Sequence, residues 1–163
     1  MLRDILFRGK RVSDGQWVTG FYVRADGNWH KHGIHKDWII CGASANGGWF
    51  ALHNRYAVEK ESVCQYTGLK DKNGKRIFEG DVVNVWREQR TIEQVDEFQK
   101  YKAVIEFGNP NHLYSWGWQL KMIDDAPFNP DILLWVDMEE TGAFIEVIGN
   151  IHDNPELLEV DNG

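Results

Sequence analysis

Ile5-Leu6-Phe7-Arg8-Gly9-Lys10-Arg11-Val12-Ser13-Asp14-Gly15-Gln16-Trp17-Val18-Thr19-Gly20-Phe21-Tyr22-Val23 reads as two extended runs on either side of a turn. Asp14-Gly15 readily takes the positive φ angles of a tight turn, so the stretch predicts a β-hairpin. Side chains alternate across a strand, which puts Trp17, Phe21 and Val23 on one face. Outward from here, short aromatic and β-branched runs broken by Gly and Asn recur along the whole chain. No window sustains the i, i+3, i+4, i+7 spacing of an amphipathic helix. The expectation is a mostly β protein: an N-terminal β-meander region over 1–62, a second β block over 63–158, and a frayed tail over 159–163.

In the first region, strands are expected at 37–41 and 48–53 around a loop at 42–47. In the second, a polar turn at 70–75 with Asn73-Gly74 at its tip separates Gln65-Tyr66-Thr67 from Arg76-Ile77-Phe78. Strands follow at 81–87, 101–107, 115–122, 133–136 and 144–151, with Ala103, Ile105 and Phe107 sharing a face. Short strands joined by tight turns suggest a small closed barrel. Residues 88–100, where Ile92, Val95 and Phe98 recur amid charges, read as a mobile loop with at most one helical turn.

The chain has 163 residues, 42% of them hydrophobic, enough for a real core without disulfide staples. Eight Trp, eight Phe and five Tyr exclude a disordered chain. No run of eighteen apolar residues occurs, and Asp4 stands where a secretory signal would begin its apolar stretch, so neither membrane insertion nor export is expected. Cys41 and Cys64 lack C-x-x-C spacing and read as reduced thiols in a cytoplasm. Charge is unevenly shared. Residues 1–62 hold nine Lys or Arg against six Asp or Glu, a net of +3, while 63–163 hold nine against nineteen, a net of −10. After Lys121 there are eleven acids and no Lys or Arg.

One stretch is more specific: Gln65-Tyr66-Thr67-Gly68-Leu69-Lys70-Asp71-Lys72-Asn73-Gly74-Lys75-Arg76-Ile77-Phe78-Glu79-Gly80-Asp81. It is flanked by Ile5-Leu6-Phe7-Arg8-Gly9-Lys10 with Gly15-Gln16-Trp17-Val18-Thr19-Gly20, and by Val147-Ile148-Gly149-Asn150-Ile151 followed by Asn154-Pro155-Glu156-Leu157-Leu158. This set closely resembles the YopX family of phage and prophage proteins. The resemblance implies a mostly β protein with a second block similar to an SH3-type small β-barrel, encoded by a mobile element. It carries over no biochemical activity, and residues 26–60 and 88–140 show no alignable pattern.

The motif also has a physical reading. Gly68, Gly74 and Gly80 permit the positive φ values of turns and bulges. The basic residues Lys70, Lys72, Lys75 and Arg76 around Asp71 either solvate a turn or meet an acidic partner. A phosphate loop is excluded, because five residues separate Gly68 from Gly74, Arg76 replaces Ser or Thr, and a strand follows where a helix N-terminus is required. A calcium loop starting at Asp71 would need glycine where Arg76 stands.

His30-x-His32-x-x-His35 is the metal-like cluster, but its spacing matches no strong zinc pattern, and with Lys31 and Lys36 interleaved and Gly33 breaking the run an exposed loop is the favoured reading. No Gly-x-Ser-x-Gly occurs, and the paired acids Asp124-Asp125 and Glu139-Glu140 read as solvated charge. Trp116-Gly117-Trp118 and Trp135 suit a docking groove or a stacking platform, with plain core packing as the competing reading.

The function expected is a noncatalytic protein-interaction module in the host cytoplasm, with no cofactor and a protein partner. Charge split and aromatic surplus also suggest a homo-oligomer. The alternative is single-stranded nucleic-acid binding by the basic first half through Trp17, Trp29, Trp38 and Trp49. A zinc-dependent hydrolase using His30, His32 and His35 is a weaker one.

Overall fold

The computed structural model of the chain describes residues 4–25, 36–46, 49–90, 95–110, 116–124, 131 and 143–159. β1 (Phe7–Lys10) and β2 (Trp17–Arg24) form the expected hairpin. Gly15 takes φ 68°, the Arg11 amide donates to the Gln16 carbonyl at 2.9 Å, and the Asp14 carboxylate accepts from the Gln16 amide at 3.1 Å. β3 (Asp37–Asn46) and β4 (Trp49–Ala57) follow, then β5 (Cys64–Lys70), β6 (Arg76–Phe78), β7 (Asp81–Arg90), β8 (Val95–Gly108), β9 (Gly117–Met122) and β10 (Ala143–Asn150). Two single 3-10 turns, Lys60–Ser62 and Pro155–Leu158, are the helical elements among the described residues.

The chain divides into two compact units, Met1–Tyr66 and Thr67–Gly163, with the boundary inside β5. Hydrogen-bonded strand order is β4-β3-β2-β1-β5-β6 in one antiparallel sheet and β10-β7-β8-β9 in the other. Both are open among the described residues, so the closed SH3-type barrel expected over 63–158 is not seen there. The reason lies in β5. It spends its first residues pairing with β1, Phe7 opposite Gln65 and Arg8 opposite Cys64, instead of closing a ring within the second block.

In the first unit, Ile39 is fully buried and Val58 nearly so; Tyr22 stands opposite Ile39, its ring centroid 5.6 Å from that of Phe7. Gly20 is required by close approach, since a Cβ there would stand 2.2 Å from the Ile40 carbonyl oxygen. Residues 42–46 of the anticipated loop are strand. β3 and β4 hold register from Trp38 opposite Ala57 to Asn46 opposite Trp49, because a glycine such as Gly42 still offers both backbone groups to the ladder.

The second unit is built on β7, flanked by β10 and β8. Val83 and Val85 face Ala103, Ile105, Leu120, Ile145, Val147 and Ile77 in one buried cluster, with Leu69, Trp118 and Met122 packed on its margin. Each fully buried aliphatic side chain contributes about 1.5–3 kcal/mol relative to exposure, so this cluster is the main source of the unit's stability. Residues 88–90 and 95–100, anticipated as loop, instead continue the β7–β8 ladder, with Glu88 opposite Phe98 and a register shift at Gln89 and Arg90. Backbone pairing makes no demand for alternating apolar residues, which is why the charged sequence concealed it. The anticipated strand at 133–136 lies outside the described residues.

Candidate functional site

The motif hairpin organises itself around buried polar side chains. Asp71, 7% exposed, accepts the Asn73 and Lys75 amides on Oδ1 at 2.8 and 2.9 Å and the Val147 amide on Oδ2 at 3.1 Å. One carboxylate therefore shapes the 70–75 turn and fastens it to β10. Thr67 donates its hydroxyl to the Ile77 carbonyl at 2.9 Å and accepts the Leu69 amide at 3.1 Å. Asp81 is fully buried and accepts the Phe78 amide at 2.8 Å. Gly68, Gly74 and Gly80 have φ of 90°, 79° and 73°, the left-handed values anticipated for them.

The four cations of this loop separate into two kinds. Lys72 lies over the stacked rings of Trp86 and Phe144, 4.4 and 4.9 Å from their centroids, and its ammonium pairs with Glu146 at 3.2 Å. It is a tether between turn and sheet. Lys70, Lys75 and Arg76 are exposed at the surface of the turn.

The aromatic candidates lie at the end of the β8–β9 ladder. Trp118 stands directly opposite Phe107, their rings edge to face at 4.9 Å, and Trp118 rests on the core margin. Phe107 is 55% exposed and Trp116 76% exposed. The Trp116 ring lies along Gly108, whose Cβ, if present, would be 3.7 Å from Cζ2. Three aromatic side chains thus crowd one strand end, two of them largely in solvent, with glycine opposite glycine at Gly108 and Gly117 leaving the backbone bare between them. Alternation correctly put Phe107 on the face of Ala103 and Ile105. It could not show that the core stops before residue 107. The signal available in sequence was the neighbouring Gly108, where the strand ends.

Trp135 and the histidines His30, His32 and His35 lie outside the described residues, as does Trp29. Among the described residues no three His, Cys, Asp or Glu side chains are grouped to hold a metal ion. Cys64 is buried and donates its thiol to the Ser62 carbonyl at 3.3 Å. At Cys41, on the surface, partial desolvation pushes the thiol pKa up, away from the thiolate. No described helix is long and apolar enough to cross a membrane.

A family model described as YopX protein matches residues 7–159. Among solved structures, the chain is similar to the crystal structure of protein EF1440 from Enterococcus faecalis, at 24% identity and a TM-score of 0.52, covering 96% of this chain and 99% of that one. That likeness is one of fold. No curated protein matches.

Proposed function

This chain is a member of the YopX family, and from the geometry of its second unit we propose that it is a noncatalytic protein-interaction module, encoded by a phage or prophage and acting in the host cytoplasm. The observation that carries the reading is the exposure of Trp116 and Phe107 beside a Trp118 already seated on the core. Large aromatic side chains held in place lose little conformational freedom on binding, and they dominate the energetics of protein interfaces. In this reading the unit presents aromatics at the end of a small antiparallel sheet for a protein partner to cover. The buried polar groups of the motif support the same reading, since they are engaged with backbone amides and give the platform a rigid frame. Self-association through this patch belongs to the proposal as well.

Affinity capture from the bacterial host tests it, with wild type compared with a Trp116→Ala, Phe107→Ala double variant of unchanged melting temperature. A stoichiometric protein partner, or a second copy of the chain detected by sedimentation, is expected on wild type and lost on the variant. Capture indifferent to both substitutions, or turnover of a metabolite by the purified chain, overturns it.

A further inference from the structure

We propose that the face of the first unit's sheet carrying Phe21, Trp17 and Arg55, with Ile40 buried at 7% exposure between Phe21 and Arg55, binds single-stranded nucleic acid. Register defines that face. Phe21 stands opposite Ile40, which stands opposite Arg55; Val23 is opposite Trp38, which is opposite Ala57; Thr19 is opposite Arg8, and Trp17 opposite Lys10. Directly opposed residues point the same way, so Arg8, Lys10, Arg55, Trp17, Phe21 and Trp38 share one side. These rows contain three cations, three aromatics and no Asp or Glu. The acid on these strands, Asp37, belongs to the opposite side, where it accepts from the Tyr22 hydroxyl and lies 4.0 Å from Arg24; Asp14, Glu59 and Glu61 lie outside the strands.

The arrangement is graded across the face. Arg8 and Lys10 are held over the Trp17 ring, 4.7 and 5.5 Å from its centroid, which fixes two positive charges at one end. Phe21 is 61% exposed and Val23 44% exposed, and Arg55 is exposed two strands away from Phe21. Two strand spacings are about 10 Å, so an aromatic ring and a cation recur at roughly the reach of one to two nucleotides. A single strand repeats a flat base and a phosphate at that scale, and base stacking on an exposed ring is tolerant of sequence. An acidic peptide would satisfy the cations and leave Phe21 without a stacking partner. The chain's net charge of −7 does not decide this, because residues 1–62 carry a net of +3 and these rows hold no Asp or Glu.

The test uses the whole chain and a fluorescently labelled oligothymidylate about twelve nucleotides long. Binding is expected at low salt, with a log–log salt slope of about −2 for three neutralised phosphates. Phe21→Ala is expected to weaken it by about fivefold or more, Phe21→Trp to preserve it, and Arg55→Glu to remove most of it. Trp116→Ala leaves it unchanged, which separates this face from the interaction patch of the second unit. Melting curves identify any variant that fails to fold, and Phe21→Trp then carries the comparison. No binding at low salt, binding indifferent to Phe21→Ala in a folded variant, or equal competition by polyglutamate overturns the proposal.

Discussion

The hairpin from Gln65 to Asp81 and the aromatic end of β8 and β9 differ in how they use polar and apolar side chains. The hairpin buries polar groups: Thr67, Asp71 and Asp81 are each at most 7% exposed and each bonds backbone. The strand end does the reverse, leaving Phe107 and Trp116 in solvent. An unpaired buried carboxylate or amide is costly, so such residues survive only where every partner is in place. Exposed aromatics cost the fold little and leave surface for something else to cover. The stretch that identifies the family is therefore framework, and the stretch with no recognisable pattern is the one that leaves large aromatic side chains exposed.

That contrast breaks most clearly at Asp71. Asp71→Ala leaves three backbone amides without their acceptor and is expected to destabilise the second unit by about 3–4 kcal/mol in urea unfolding. Asp71→Asn should fall between, because an amide can keep the Asn73 and Lys75 bonds through its oxygen but presents an N–H group to the Val147 amide. A loss below 1 kcal/mol for Asp71→Ala, on the order of a surface change, would refute the framework role. Lys72→Ala sharpens the comparison at intermediate scale. Its side chain is 30% exposed, so water screens the pairing with Glu146, and about 1 kcal/mol is expected from the lost ring contacts and ion pair together. Trp116→Ala lies at the other extreme, with a stability change within about 0.5 kcal/mol by the same unfolding measurement and its effect confined to binding.

Legibility in the sequence followed the same division. Turns were readable because their chemistry is local: Asp14-Gly15 and Asn73-Gly74 state the backbone angles they need. Strand existence was readable for 17–23 and 101–107, where alternation is strong. Pairing partners were not, since nothing in Cys64 or Gln65 indicates that β5 would join β1, and that choice is what separates open sheets from a closed barrel. At 88–90 and 95–100 the alternation signal is absent although the ladder continues, because main-chain hydrogen bonds carry no side-chain signature. For the site, Trp116 and Trp118 stand two residues apart, a spacing that puts both on one strand face, yet one lies in solvent and the other rests on the core. Lys72 was grouped with Lys70, Lys75 and Arg76 by composition alone. Its tether to Glu146 spans a sequence distance no local pattern reports.

Strand β10 adds a constraint on the order of assembly. It supplies Ile145 and Val147 to the core, and its Val147 amide to Asp71. Beyond it, the Ile151 amide donates to the Gly80 carbonyl at 2.9 Å, and Asn150 accepts the His152 and Asp153 amides. During synthesis, β5 through β9 emerge with one flank of β7 bare and the Asp71 carboxylate missing one of its donors. The first unit, whose strands pair within Met1–Tyr66, has no such dependence. A nascent chain would thus carry a finished amino-terminal sheet while the second unit waits for residues beyond 143, with its longest hairpin exposed along one edge to whatever strand arrives first.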